Sequence, residues 1–133
     1  VGVKDSSYNL FENLKIENFS ILPGSELKLL KGLEIGCTGI ITATCNVTAE
    51  LSRKVYDDFF SNTEQTSNKK LCDIRKVFDK YNLISGLHTF YSEENKIYRN
   101  ILPPLSLLNE VEKKDLKENL DKLNFSLPKS LAA

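Results

Sequence analysis

Three short apolar runs, each followed by a helical pattern, constrain the fold of this chain more than any other feature. The runs lie at Val1–Lys4, Phe19–Leu22 and Gly39–Thr44. The segments between them are long enough for the crossovers that join parallel strands. Because the runs are apolar and contain small residues, they fit a sheet that is covered on both faces. This order predicts an α/β structure with three parallel strands over residues 1–61.

The helices expected between these strands have recognisable starts and stops. Tyr8–Glu17 has leucine and phenylalanine at helical spacing and predicts a short first helix. Ser25 is suited to cap a second helix, and Gly36 to end it. A loop over Asn46–Thr48 is expected to lead into a third helix, which Thr48 caps and which runs to about Ser61.

After residue 61 the pattern changes to helices alone. Pro103-Pro104 breaks the chain, and Asn109 with Glu112 has the spacing of a capping box for a last amphipathic helix. We therefore predict two parts: residues 1–61 with the strands, and an all-helical tail over residues 62–133.

Composition excludes some functions and indicates a compartment. The chain of 133 residues carries 18 basic and 18 acidic side chains, so its net charge predicts neither nucleic-acid nor membrane-surface binding. No apolar run has the length of a membrane span. The three cysteines are an odd number without metal-ligand spacing, which favours reduced thiols in a cytoplasmic protein and no metal.

The start of the chain is unusual for a complete domain. There is no methionine, and Val1 already lies inside a predicted strand. Domains rarely open without a polar lead-in. We therefore expect an amino-terminal portion to be missing.

Lys4 is the first candidate for chemistry, because it ends an apolar run and is followed by Asp5-Ser6-Ser7. The carboxyl ends of parallel strands in a barrel face the active site. A lysine amine held there and partly desolvated can attack a ketone and form a Schiff base. A solvated surface lysine is the plain alternative.

Several segments together resemble one family, the dihydrodipicolinate synthases and N-acetylneuraminate lyases. Val1–Ser7 resembles the family's Schiff-base lysine segment, and Leu22–Glu26 its strand–glycine–acidic segment. Gly36–Val47 is similar to its last barrel strand, and Ile101–Leu105 to the stretch before its closing charged helix. The resemblance covers nearly the whole chain, but only the carboxyl-terminal half of a family member.

The resemblance implies the carboxyl-terminal part of a (β/α)₈ TIM barrel. This chain would supply strands six, seven and eight and the three helices that follow the barrel. The amino-terminal half of the barrel would then be a required partner. The resemblance also implies a homotetramer.

The family's chemistry is that of class I aldolases, which act through pyruvate without a cofactor or metal beyond the covalent imine. By resemblance, Lys4 forms the imine and Gly24 brings backbone close to the pyruvate-derived part. Ile41 would line the pocket beside the imine. Ser25 and Glu26 would contact hydroxyls of the second substrate, which would be an aldehyde or a 2-oxo acid.

Two hypotheses of enzymatic function and one of a non-enzymatic chain stay open. We favour a lyase of a 2-oxo-3-deoxy sugar acid or sialic acid, because Glu26 can accept hydrogen bonds from hydroxyls. The alternative is the synthase of 4-hydroxy-tetrahydrodipicolinate in lysine biosynthesis, which joins pyruvate to an aspartate-derived semialdehyde. The third hypothesis is that the chain is an inactive fragment that needs the amino-terminal half.

The sequence also departs from the family pattern, which leaves the substrate open. The segment between Lys4 and Gly24 is shorter than in most members, and Pro23 and Ser25 replace the more usual small and acidic residues.

Several of these residues also have a purely structural interpretation. Asp5 is expected to satisfy local backbone donors, and Glu26 can be an ordinary first-turn acid. Strand packing alone explains the threonines near residue 42.

Overall fold

The computed structural model describes residues 1–127 and consists of two short parallel strands with six α-helices. Two 3₁₀ turns, at Glu26–Lys28 and Lys96–Arg99, join the longer elements. The strands and helices are β1 (Gly2–Asp5), α1 (Leu10–Asn13), β2 (Ser20–Pro23), α2 (Leu29–Glu34), α3 (Cys45–Phe60), α4 (Asn68–Phe78), α5 (Leu83–Tyr91) and α6 (Glu110–Lys122).

β1 and β2 form a parallel pair, as their apolar sequences predict. Lys4 lies opposite Leu22, so the carboxyl ends of both strands meet at one edge of the sheet. Gly2 lies opposite Ser20, and a Cβ atom at Gly2 would stand 2.4 Å from the Ser20 carbonyl oxygen. A glycine is therefore needed for the two backbones to approach this closely.

The third predicted strand, at residues 39–44, is wrong as an element of the sheet. This segment has no regular secondary structure. It joins β2 through a backbone hydrogen bond from the Ile41 N–H to the Pro23 carbonyl, 3.2 Å long. A strand needs a ladder of such bonds, and within residues 1–127 the sheet has two strands.

Two helix boundaries also differ from the prediction. α1 ends at Asn13 rather than Glu17, and Ile16 beyond it is 50% exposed, so it contributes little of the apolar burial that would extend the helix. α3 begins at Cys45 rather than after a loop, so Thr48 lies inside its first turn instead of capping it. The predicted stop at Gly36 is confirmed, because this residue follows α2 with φ of +95°.

The chain divides into two compact units, Val1–Cys72 and Asp73–Ala133, of which the second is described to residue 127. The core of the first unit lies between α2, α3 and the start of α4. Its central side chains are fully or almost fully buried: Leu29, Leu33, Val55 and Leu71. Ile40, Leu51, Tyr56 and Phe59 pack around them.

The second unit contains the rest of α4, followed by α5 and α6. Phe90 lies between two other rings, at 5.7 Å from Phe78 edge to face and at 5.9 Å from Phe125 in a stack. The predicted capping box is confirmed, since Asn109 and Glu112 bond each other's backbone N–H at 3.0 Å. Through residue 127, no helix combines the length and the apolar character that crossing a membrane requires.

Candidate active site at the strand ends

The two strand ends bring Lys4 and the loop after β2 to the same edge of the sheet. Lys4 is paired with Leu22, and the next pair is Asp5 with Pro23. The chain then continues on each side, and the Gly24 N–H donates a hydrogen bond to the Asp5 carbonyl at 2.9 Å. This bond extends the contact one residue past the ladder and places Gly24 beside the backbone that carries Lys4.

Lys4 is exposed, whereas its neighbour Asp5 is buried. Successive side chains of a strand point to opposite faces of the sheet, so the two lie on different sides. The face with Asp5 is covered by the protein, and the face with Lys4 is open to solvent in this chain. An amine that projects from the open face of a strand end is accessible to a small ketone.

Asp5 fixes the loop that follows the lysine. Its Oδ1 accepts hydrogen bonds from the Ser7 N–H and hydroxyl and from the Tyr8 N–H, at 2.7–3.0 Å. Its Oδ2 accepts from the N–H groups of Leu10 and Phe11 at 2.9 and 3.0 Å, which caps α1 from a distance. The predicted structural role of Asp5 is thereby confirmed.

These hydrogen bonds outweigh the burial of the carboxylate. Burial alone raises the pKa of Asp5, but the bonds from Ser7, Phe11, Leu10 and Tyr8 lower that pKa below its ordinary value. The ionised form is therefore the one that the fold stabilises. Its charge acts on Cys37, whose pKa is raised first by burial and further by the nearby Asp5.

Gly24 approaches the Lys4 segment closely enough to favour a residue without a side chain. A Cβ atom there would stand 3.2 Å from the Ser6 hydroxyl oxygen and 3.4 Å from the Asp5 carbonyl oxygen. The first distance is tighter than an ordinary van der Waals contact, so Ser6 would have to shift. Close backbone approach is the feature that the family resemblance implies for this glycine.

Ser25 is 2% exposed, and its side chain is used inside the protein. Its Oγ accepts a hydrogen bond from the Leu27 N–H at 3.3 Å and caps the 3₁₀ turn that follows. The predicted capping by Ser25 is confirmed, although the turn is a 3₁₀ turn that leads into α2. The position of Ser25 does not support the predicted contact with substrate hydroxyls.

Glu26 is completely buried, and its Oε1 atom accepts hydrogen bonds from three threonine hydroxyls. Thr42 and Thr44 donate at 2.5 Å. Thr48 donates at 3.1 Å and also reaches the Thr44 carbonyl at 3.0 Å, so it shares one proton between two acceptors. We call these four residues the Glu26 cluster. Because the carboxylate faces protein hydroxyls instead of solvent, its position does not support direct binding of a sugar hydroxyl.

The threonines of this cluster are the residues that the sequence analysis missed. Strand packing is the sequence-based explanation for Thr42 and Thr44, yet both are buried donors to Glu26. The signal was their spacing, since residues 42, 44 and 48 turn to one side where an extended segment enters a helix. The spacing alone does not identify the acceptor, which is the buried Glu26 from another part of the chain.

Ile41 belongs to the segment that the Glu26 cluster holds. Its N–H donates to the Pro23 carbonyl, and its side chain is 48% exposed. An exposed isoleucine beside the end of β2 is compatible with a pocket wall that is open in this chain. Among the described residues, no group of three or more His, Cys, Asp or Glu side chains is arranged to hold a metal ion. Cys37, Cys45 and Cys72 do not form disulfides.

Comparison with known proteins gives a family match over most of the chain. The model of the dihydrodipicolinate synthetase family matches residues 1–123. A search among curated proteins found no match.

Solved structures resemble the whole chain but are much longer. A dihydrodipicolinate synthase from Aquifex aeolicus is 22% identical with a TM-score of 0.81, covering 96% of this chain and 46% of its own. The Thermotoga maritima enzyme is 17% identical with a TM-score of 0.80, covering 93% and 46%. YagE, an E. coli prophage protein solved in complex with pyruvate, is 21% identical with a TM-score of 0.75, covering 94% and 46%. The chain thus spans less than half the length of the structures it matches.

Proposed function

Because this chain belongs to the dihydrodipicolinate synthetase family, we propose that it supplies the Schiff-base lysine, Lys4, of a pyruvate-dependent carbon–carbon lyase or synthase. The observation that carries the proposal is the open, strand-end position of Lys4 beside the close approach of Gly24. The pyruvate complex of YagE supports the choice of the 2-oxo acid.

The proposed chemistry begins when the uncharged Lys4 amine attacks the ketone carbon of the 2-oxo acid. The resulting carbinolamine loses water and becomes an imine, which is protonated on nitrogen. The iminium at C2 accepts the electron pair released when the bond between C3 and C4 of the 2-oxo acid breaks, which frees an aldehyde and leaves an enamine. With pyruvate itself, loss of a methyl proton gives the same enamine, which attacks an aldehyde. Hydrolysis of the final imine returns the amine.

The position of Glu26 changes the support for one substrate class. The preference for a 2-oxo-3-deoxy sugar acid or sialic acid rested on a Glu26 carboxylate open to hydroxyls. That carboxylate is buried, so the sugar-acid lyase and the 4-hydroxy-tetrahydrodipicolinate synthase stand as equal proposals. Assaying cleavage of a 2-oxo-3-deoxy sugar acid against condensation of pyruvate with aspartate semialdehyde separates them.

The proposal includes the remaining strands of the barrel, on the same polypeptide or as a separate chain. Eight strands close a barrel, whereas the described part of this chain pairs two. The open face around Lys4 is where the interior of such a barrel would lie. We call the protein with all eight strands the complete barrel. The homotetramer and the cytoplasmic location stay predictions.

Borohydride trapping tests the proposed function. The complete barrel is incubated with pyruvate and reduced, and the adduct is mapped by mass spectrometry. We expect the adduct on Lys4 and its loss in Lys4→Arg, because a guanidinium is always protonated and forms no such imine. Lys31→Arg, on the exposed side of α2, is the matched control and should keep the adduct. An adduct on another lysine, or none, would overturn the proposal.

A further inference from the structure

We infer that Glu26 is a positioning residue for the Lys4 site, acting through the three threonines rather than on the substrate. The inference rests on the proposed function, and it assigns to Glu26 a role different from the hydroxyl contact that the sequence predicted. It starts from the completely buried carboxylate and the three hydroxyls that converge on its Oε1 atom.

The segment that these hydroxyls anchor has little backbone pairing. Within residues 1–127, its link to β2 is the bond from the Ile41 N–H to the Pro23 carbonyl. Gly39, at φ of +149°, precedes the segment in a conformation that side-chain-bearing residues rarely adopt. Side-chain hydrogen bonds to Glu26 add to this backbone bond in holding the segment against the end of β2.

The position of this segment matters for the site because the segment includes Ile41. Ile41 lies directly before Thr42, so a shift of Thr42 moves the proposed wall of the pocket. On the other side, Glu26 follows Gly24 by two residues, and Gly24 is bonded to the backbone next to Lys4. The carboxylate thus joins the segment of Ile41 to the segment of Gly24, and the backbone bond of Gly24 continues the connection to the strand of Lys4.

The three threonine hydroxyls that reach the Oε1 atom of Glu26 lie near the start of a helix. Thr44 is the residue directly before α3, and Thr48 lies in its first turn. The cluster therefore joins the end of β2 to the start of α3, a 16-residue helix, through hydrogen bonds between buried side chains.

The test compares substitutions in the cluster with the rate of imine formation at Lys4. We expect Glu26→Gln in the complete barrel to slow borohydride-trapped adduct formation with pyruvate roughly 10- to 100-fold, because small misplacements of reacting groups have effects of this size. Glu34→Gln, on the exposed end of α2, is the matched control and should leave the rate unchanged.

A second pair of variants separates positioning from loss of folding. Thr42→Val removes one donor at nearly constant volume and should slow imine formation, whereas Thr42→Ser keeps the hydroxyl and should restore the rate to within about twofold. Rescue by serine is an outcome that a general packing defect would not give.

The outcomes distinguish the inference from the function on which it rests. An unsubstituted complete barrel without a Lys4 adduct overturns the proposed function, and the inference falls with it. The inference alone is overturned if the unsubstituted complete barrel forms the Lys4 adduct and both Glu26→Gln and Thr42→Val form it at the same rate as the unsubstituted protein. This holds even if both variants melt at a lower temperature. Loss of turnover for a hydroxylated substrate with unchanged imine formation would also overturn it, and would return Glu26 to direct substrate contact.

Discussion

Two buried carboxylates, Asp5 in the last position of β1 and Glu26 shortly after β2, have hydrogen-bond partners at very different distances along the chain. Asp5 collects its hydrogen bonds from residues two to six positions away. Glu26 collects hydroxyls from residues 16 to 22 positions away. The first arrangement is a local turn built around an acid, and the second joins parts of the chain that only the fold brings together.

Each carboxylate contributes to the site through a different segment of the chain. Asp5 shapes the loop directly after Lys4 and caps α1, so it acts on the segment in which it lies. Glu26 shapes a distant segment, which carries Ile41. A change at Asp5 should therefore disturb one loop, and a change at Glu26 should disturb the junction of β2 with α3.

The largest expected effect on stability is at Glu26. Glu26→Ala removes the shared acceptor and leaves three buried hydroxyls to find new partners, so we expect a loss of about 3 kcal/mol in the free energy of unfolding. Urea denaturation of the complete barrel, followed by circular dichroism, measures this loss. Glu34→Ala is the control and should lie within about 0.5 kcal/mol of the parent. Equal values for the two variants would contradict the role of the cluster.

A smaller loss is expected at Asp5. Asp5→Asn keeps one oxygen but replaces the other with an amide that faces N–H donors, and we expect a loss of about 2 kcal/mol at pH 7. Glu12→Gln, an exposed change in α1, serves as the control for the removal of a charge. If both variants unfold at the same urea concentration, the local hydrogen bonds of Asp5 do not stabilise the fold.

The same variant tests the direction of the pKa shift of Asp5. Because the folded state lowers this pKa, the stabilisation is fully present above the unfolded-state value of about 3.9. It is lost as the pH falls through the lower, folded-state value. The difference in unfolding free energy between the parent and Asp5→Asn should therefore shrink as the pH is lowered below about 4. A difference that grows on acidification would show that the shift has the opposite sign.

The smallest effect is expected at a local cap in the second unit. Asn109→Ala removes the side chain that accepts from the N–H groups of Val111 and Glu112, and we expect a loss of about 1 kcal/mol. Asn109→Asp keeps an acceptor at the same place and should recover most of that loss. Hydrogen exchange of the α6 amides measures both changes. If Asn109→Ala lost as much stability as Glu26→Ala, the expected difference between a local cap and a long-range hydrogen-bond cluster would be contradicted.

How much of the fold could be predicted depended on how local each signal was. The capping box at Asn109, the helix stop at Gly36 and the bonding of Asp5 to nearby donors were all readable, because each depends on a few consecutive residues. The third strand was misjudged at residues 39–44 because β-formers predict extended backbone, whereas a strand also needs a paired neighbour.

The candidate site divides in the same way. The pattern around Lys4 and Gly24 follows from strand ends and from a family resemblance carried by short segments, so the sequence alone determined which lysine to consider and which glycine stands beside it. The burial of Ser25 and Glu26, and the bonds from Thr42, Thr44 and Thr48, were decided by the tertiary structure. The reason is physical: a carboxylate in the first turn after a strand has the same sequence signature whether it faces water or protein. Only the fold brings the start of α3 and the segment before it to Glu26, where the threonine hydroxyls donate to the carboxylate.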